Sequence, residues 1–334
     1  MNKKYSHTIK FENVSKVWPN GTVALSNINL ETNPGEFVAV IGLSGAGKTT
    51  LVKSINSLTK ISSGKLFVDG HNISKNPSKK KLKKVRKSVG IVFQRYNLVD
   101  KATVIQNVLN SIVSQLPFYR QILGIFTKKE KEAALRALAT TNMLKKAYVR
   151  AEDLSGGQMQ RVALARTLVQ NPHIILADEP VGALDPIMAK FIMDDFRKIN
   201  IEQQITVIAN LHHVDLALKY ATRIVGVKEG VIVYDGKSED VSYDVLKQIY
   251  GDNLEEEAVE AALGIIEDKK KKTVKKKITD NKKEEVSKDS GNNLTNKKQE
   301  LKQQLRKQQG MKPRVSNPKK VDIKRSLRKN AQHL

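Results

Sequence analysis

The segment Gly42-Leu43-Ser44-Gly45-Ala46-Gly47-Lys48-Thr49 has the spacing G-x-x-x-x-G-K-S/T, and its flanks decide what it can build. Residues 36–41 read as a buried strand and residues 49–55 as a helix, so strand, tight loop and helix follow in order. Glycines at 42, 45 and 47 let such a loop curl until its N–H groups share one concave face. The helix start adds its own unpaired N–H groups and the positive end of its dipole. A cradle of this kind binds phosphate. Lys48 then reaches the β- and γ-phosphates of a nucleotide, and Thr49 offers its hydroxyl to Mg²⁺.

Two later strings complete the pattern. His173-Ile174-Ile175-Leu176-Ala177-Asp178-Glu179-Pro180 is an apolar run ending in two acids, as a central parallel strand delivering carboxylates to its C-terminal edge. Open α/β sheets bind ligands at that edge. There Asp178 suits a Mg²⁺ shell, and Glu179 can orient or deprotonate an attacking water, which is most of what phosphoryl transfer asks of a protein. Leu154-Ser155-Gly156-Gly157-Gln158 places Ser155 107 residues after Lys48. Ser155, Gly156 and Gly157 open a helix predicted to run from Gln158 to Leu168, which makes a second anion site.

In this order, the strings resemble the ATPase subunits of ATP-binding-cassette (ABC) transporters, and the resemblance covers residues 8–250. It implies an α/β fold: a P-loop NTPase core, an antiparallel β subdomain, and a helical subdomain at about 95–160 that carries the signature and docks on a membrane partner. ATP and Mg²⁺ are implied as ligands, with Ser44, Ala46 and Thr50 joining the loop glycines, Lys48 and Thr49 around the nucleotide. Trp18, 24 residues before Gly42 in a turn-rich stretch, matches the ring that stacks on adenine. Gln94 matches the glutamine that senses Mg²⁺ and faces the membrane subunit. Asp185, in Gly182-Ala183-Leu184-Asp185, matches the loop joining two active sites, and His212 the switch histidine at the γ-phosphate. In this family Ser155, Gly156, Gly157 and Gln158 face the γ-phosphate held by another subunit, so the resemblance implies a head-to-tail dimer with ATP between the copies.

Segments at 93–99, 107–109, 116–126 and 211–215 resemble the phosphonate-importer subgroup, while Gly182 and His213 depart from its pattern. That subgroup implies permease subunits and, indirectly, a solute-binding protein. The chain has no cysteine and no run of 18 apolar residues, and its first residues lack the apolar core of a signal peptide. The expected place is therefore peripheral, on the cytoplasmic face of the membrane. ABC-type ATPases also act outside transport, and in exporters and cell-division complexes.

Alternating segments near 8–14, 24–30 and 64–68 predict antiparallel strands flanking the phosphate-loop strand. Helices are predicted at 103–114 and 128–140, and further strands near 173, 205, 222 and 230. Seven lysines and arginines between Lys79 and Lys87 read as a solvated face. Residues 251–267 are expected to form a short helical connector. From Asp268 to Leu334, 23 basic residues stand against 7 acidic ones, and no aromatic occurs after Tyr250. Such a stretch buries too little apolar surface to offset its ordering entropy, so disorder is expected, with a transient helix at 296–309. It suits a solvated appendage, a tether to anionic lipid, or an RNA-binding arm.

Overall fold

The computed structural model describes residues 8–74, 76–251 and 264–266, all within the first of the two units into which the chain divides, residues 1–271. Its strands are β1 (Ile9–Val17), β2 (Val23–Glu31), β3 (Phe37–Ile41), β4 (Ser63–Val68), β5 (His71–Asn72), β6 (Val89–Val92), β7 (Ile174–Asp178), β8 (Thr206–Asn210), β9 (Arg223–Lys228) and β10 (Val231–Lys237). Its helices are α1 (Lys48–Ile55), α2 (Lys79–Ser88), α3 (Val104–Asn110), α4 (Phe118–Leu123), α5 (Lys128–Thr140), α6 (Gly156–Leu168), α7 (Pro186–Gln203), α8 (Val214–Tyr220) and α9 (Tyr243–Tyr250).

Six strands form a sheet in the order β10-β9-β3-β8-β7-β6, parallel except for the β9–β10 edge pair. Strands β3, β7 and β8 are buried at every position, as apolar runs covered on both faces must be. Alternate residues serve different cores. Phe37, Ala39 and Ile41 join the helical side with Leu164 and Phe196, whereas Val38 and Val40 join Phe11, Leu25 and Leu51.

The antiparallel strands occur as predicted, but they do not flank β3. They form their own four-stranded sheet in the order β2-β1-β4-β5, while β3 lies between β9 and β8. The reason is burial: β1 and β2 keep exposed residues on one face, and a strand apolar on both faces needs covering layers on both.

Helix α5 matches the predicted bounds, capped by Thr127, which accepts from Glu130 N. The helix expected over 103–114 stops at Asn110, and Val113–Gln115 is a separate 3-10 turn; the Ser111 hydroxyl bonds back to Val108 O, competing with the ladder. Helices α2 and α4 are among those with no forecast of their own. The lysine cluster is α2, a helix whose charges point outward while Val85 and Ser88 are buried, and α4 is a short turn between Pro117 and Gly124. The signature helix starts at Gly156, ahead of the predicted Gln158. Of the connector, residues 264–266 are helical and Ile266 is buried in the helical core. The basic tail at 268–334 and its forecast helix lie outside the described residues.

Because β3, β6, β7 and β8 are mutually parallel, their C-terminal ends share one edge of the sheet. The phosphate loop, Gln94, Asp178, Glu179 and the segment Asn210–His212 all leave from that edge.

Candidate functional site

The loop between β3 and α1 is shaped by close backbone approach. Gly42 has φ +146°, and a Cβ there would lie 2.0 Å from the Val227 carbonyl oxygen; at Gly47, φ +104°, it would lie 2.4 Å from Ala24 O. Only glycine fits both positions. Lys48 is 4% exposed, and its Nζ donates to Gly42 O and Leu43 O, each at 2.8 Å. Burial pushes its ammonium below the ordinary lysine range, against the opposite pull of Glu179 and Asp178. Phosphate brought to this ammonium would restore the charge balance that burial removes.

At the end of β7, Asp178 Oδ1 accepts from Thr49 Oγ1 at 3.1 Å and from Asn210 Nδ2 at 3.0 Å. Asn210 Nδ2 also lies 3.2 Å from Thr49 Oγ1, and Lys53 Nζ is 3.3 Å from Asp178 Oδ2. A hydroxyl, a carboxylate and a neighbouring amide meet at one point. Hard oxygen donors of this kind suit Mg²⁺, which is usually bound through one or two carboxylates together with substrate phosphates.

Glu179 follows directly, with its backbone at φ +53°, a region costly for a residue with a Cβ. Its N–H donates to Asn210 O at 3.1 Å, and its carbonyl accepts from Gly182 N at 3.2 Å. Its carboxylate accepts from His212 Nε2 at 2.5 Å. A Cβ at Gly182 would stand 3.4 Å from Gln94 Nε2 and 3.6 Å from Glu179 Oε2, so Gln94 and Glu179 converge on one small residue. The structure thus brings together Lys48, Thr49, Asp178, Glu179, Gln94 and His212; His213 instead stands at the N-cap of α8.

A family model described as ABC transporter matches residues 25–182. Over 247 residues the chain is 57% identical to the phosphonates import ATP-binding protein PhnC of Mesoplasma florum, which covers 73% of this chain and 99% of that protein. The chain belongs to the ABC transporter ATPase family. This ABC ATPase is 52% identical over 242 residues to the protein of the same name from Lactococcus lactis subsp. cremoris, covering 72% and 98% of the two chains. Among solved structures it resembles the dimeric, post-hydrolysis form of the ATP-binding cassette MJ0796 bound to ADP and Pi (TM-score 0.59, 35% identity, 69% and 98% coverage). It also resembles cbiO1 of Clostridium perfringens, part of a cbiONQ transporter complex (TM-score 0.63, 30% identity, 72% and 93% coverage). It is accordingly an ATP-hydrolysing enzyme that uses Mg²⁺.

Other predicted residues of this ABC ATPase lie away from that cluster or serve the fold as well. Ser155 is exposed at the start of α6, its N–H donating to Gln158 Oε1 at 3.2 Å, while Lys146 Nζ holds the same oxygen at 2.9 Å. Asp185 caps α7, accepting from Ile187 N and Met188 N at 3.1 and 2.9 Å. Trp18 sits in the β1–β2 hairpin, 39% exposed, with Lys16 Nζ 4.5 Å from its ring centroid. Ser44 and Gly45 are exposed at the loop crest, Ala46 is buried, and Thr50 lies in the first turn of α1.

Asn210 and Lys53 escaped notice in the sequence. A polar residue ending the apolar run of β8 was the signal for Asn210, and the one-turn spacing from Thr49 was the signal for Lys53.

Proposed function

We propose that this chain is the ATP-hydrolysing subunit that powers import of a phosphonate or related phosphate-bearing solute through separate membrane subunits. The observation that carries the chemistry is the convergence of Lys48, Thr49, Asp178 and Glu179 at one sheet edge. Lys48 and the loop N–H groups hold the β- and γ-phosphates. Thr49 and Asp178 hold the Mg²⁺, which when bound neutralises phosphate charge. Glu179 takes the proton of the attacking water, and His212 fixes the carboxylate that does so. Gln94 lies close enough to report the state of the site to the surface. Trp18 stacks on the adenine.

Among the described residues the signature, with Ser155 exposed at the start of α6, makes no contact with the phosphate loop of its own chain, which supports a head-to-tail dimer in which it closes the partner's site. The dimeric MJ0796 cassette at 35% identity supports the same assembly. Among the described residues no helix is long and apolar enough to cross a membrane, so the solute path belongs to other chains. A cavity of about 390 Å³ lined by Leu58, Phe93, Tyr96 and Arg166 among others offers those chains a seat. The PhnC relatives at 52–57% identity support phosphonate as the cargo class and the cytoplasmic face of the membrane as the place of work. A periplasmic-type solute-binding protein would then deliver the cargo.

The test is co-purification with membrane subunits, reconstitution in vesicles, and ATP-driven uptake of a radiolabelled phosphonate. Uptake should depend on ATP and stop with Glu179→Gln. ATP hydrolysis with no membrane partner and no phosphonate uptake would remove the import assignment while leaving the enzyme.

A further inference from the structure

Gln160 lies five residues past Ser155 on the signature helix α6 and is fully buried. Its Nε2 donates to Pro180 O at 2.7 Å, and its Oε1 is a buried oxygen with no hydrogen-bond partner. The orientation of the amide follows from its partner, since a carbonyl only accepts. An unpaired buried amide oxygen is costly, and a methionine of the same length would fill the space without it, losing only the donor to Pro180 O. Packing alone therefore does not account for the amide.

The carbonyl it holds belongs to the turn that carries Glu179. Pro180 has no N–H with which to anchor that turn, and Glu179 sits in a backbone region that persists only where its surroundings enforce it. Two enforcing bonds come from the sheet edge and the turn itself: Glu179 N–H to Asn210 O, and Gly182 N–H to Glu179 O. The third comes from α6. We infer that Gln160 is a positioning residue that clamps the Glu179–Pro180 turn from the signature helix, so that the state of the signature reaches Glu179 through a single side chain.

This rests on the assignment of Glu179 as the group that activates water. The link is short: α6 begins at Gly156 inside the signature, and Gln160 stands little more than one turn along it. Engagement of Ser155–Gly157 by a partner's phosphate would move or stiffen the first turns of α6, and the bond to Pro180 would pass that change to the carboxylate of its own chain. The device would let each site sense closure of the other.

Gln160→Met removes the donor and keeps the volume. Its turnover should fall roughly tenfold at saturating ATP, with the ATP KM within about twofold of the parent and thermal stability retained. Gln160→Glu supplies a second readout. In this buried place its carboxyl is raised, donates to Pro180 O when protonated and repels that oxygen when charged. The ratio of its turnover to that of the parent should fall as pH rises from about 6 to about 8. Turnover of Gln160→Met within about twofold of the parent, or a loss matched by an equal loss of ATP binding, overturns the inference. Should Gln160→Met fail to fold, the pH profile of Gln160→Glu decides alone, and a flat ratio counts against the clamp. Normal turnover of Glu179→Gln would strike the assignment of Glu179 instead, whatever Gln160→Met does.

Discussion

The nucleotide cradle and the helical lobe are built to opposite rules. In the cradle the groups that hold phosphate and metal are tied: buried Lys48 to two loop carbonyls, and buried Asp178 to Thr49, Asn210 and Lys53. In the lobe, large apolar side chains stand in solvent, with Phe118 76% exposed, Ile122 69% and Leu123 64% on α4. That helix is nonetheless held firmly, since Arg120 pairs with Glu130 of α5 and donates to Ile125 O. An apolar surface kept rigid and uncovered is the mark of a face that another chain completes. The difference teaches where each half of the function lives. The groups that hold nucleotide and metal come together within one chain, whereas the lobe presents the signature and an uncovered apolar face to others.

Substitutions in the two regions should therefore fail differently, and the largest effect belongs to the cradle. Glu179→Gln keeps the shape of the side chain but cannot take a proton, so turnover should fall by roughly 10²- to 10⁴-fold while ATP binding survives. The closed dimer should then accumulate and be seen by size-exclusion chromatography with ATP. Normal phosphate release from this variant would remove Glu179 from its role.

Ser155→Arg carries the comparison into the lobe. It sets bulk and charge at an exposed signature position, so monomer nucleotide binding should be untouched and hydrolysis lost with the closed dimer. Mixing Ser155→Arg with Lys48→Ala should restore part of the turnover. In the mixed dimer the intact loop of one copy faces the intact signature of the other, while the second site is doubly broken. No recovery in the mixture, with both variants folded, would mean that signature and loop act within one chain.

Asn210→Leu probes the cradle more gently. The change removes the donor shared by Asp178 and Thr49 and leaves the backbone of β8 in place. We expect a loss of about tenfold in turnover and a raised Mg²⁺ requirement, from freeing two groups that a single amide orients. Titrating Mg²⁺ at fixed ATP measures it, and an unchanged Mg²⁺ midpoint would show that Asn210 only fills space.

How much of this was legible before the structure follows the same division. The cradle's parts announce themselves because each is local: a glycine-spaced loop between strand and helix, and an acid pair ending an apolar run. What pins them is not local. Asn210 is 161 residues from Thr49, a contact that the parallel order of β3, β8 and β7 creates, and Gln160 is 20 from Pro180, a contact that the packing of α6 beside the end of β7 creates. The placement of β1, β2 and β4 in a separate sheet was missed for the same reason, since alternation reports a half-buried face but not its neighbours. Helix α2 was hidden by composition: with six lysines and an arginine its helical period rests on Leu82, Val85 and Ser88 alone. Helix α4 has apolar residues that bury nothing in this chain, so their spacing gave no inward face to detect.

The smallest effect on chemistry is expected from the tail. Residues 268–334 carry a net charge of +16, from 23 basic and 7 acidic residues, out of +25 for the whole chain. They lie outside the described residues and contain none of the phosphate-loop, acid-pair or signature strings. A polybasic segment near anionic lipid gains on the order of 1 kcal/mol per Lys or Arg at the surface, so a few engaged lysines suffice to hold a peripheral protein there. RNA would draw on the same charge by counterion release, but with no aromatic side chain after Tyr250 base stacking is missing, leaving binding nonspecific and steeply salt-dependent. Deleting 268–334 should leave ATP hydrolysis within about twofold of the parent, because chemistry resides in the cradle. Sedimentation with vesicles containing phosphatidylserine should drop on deletion and, for the full chain, weaken as salt shortens the reach of each charge. Equal vesicle binding with and without the tail would end the tether, and a tail-dependent shift of RNA at low salt alone would assign the charge to nucleic acid. Lost hydrolysis in the deletion would break the comparison itself, by showing that the cradle needs a part of the chain that carries none of its motifs.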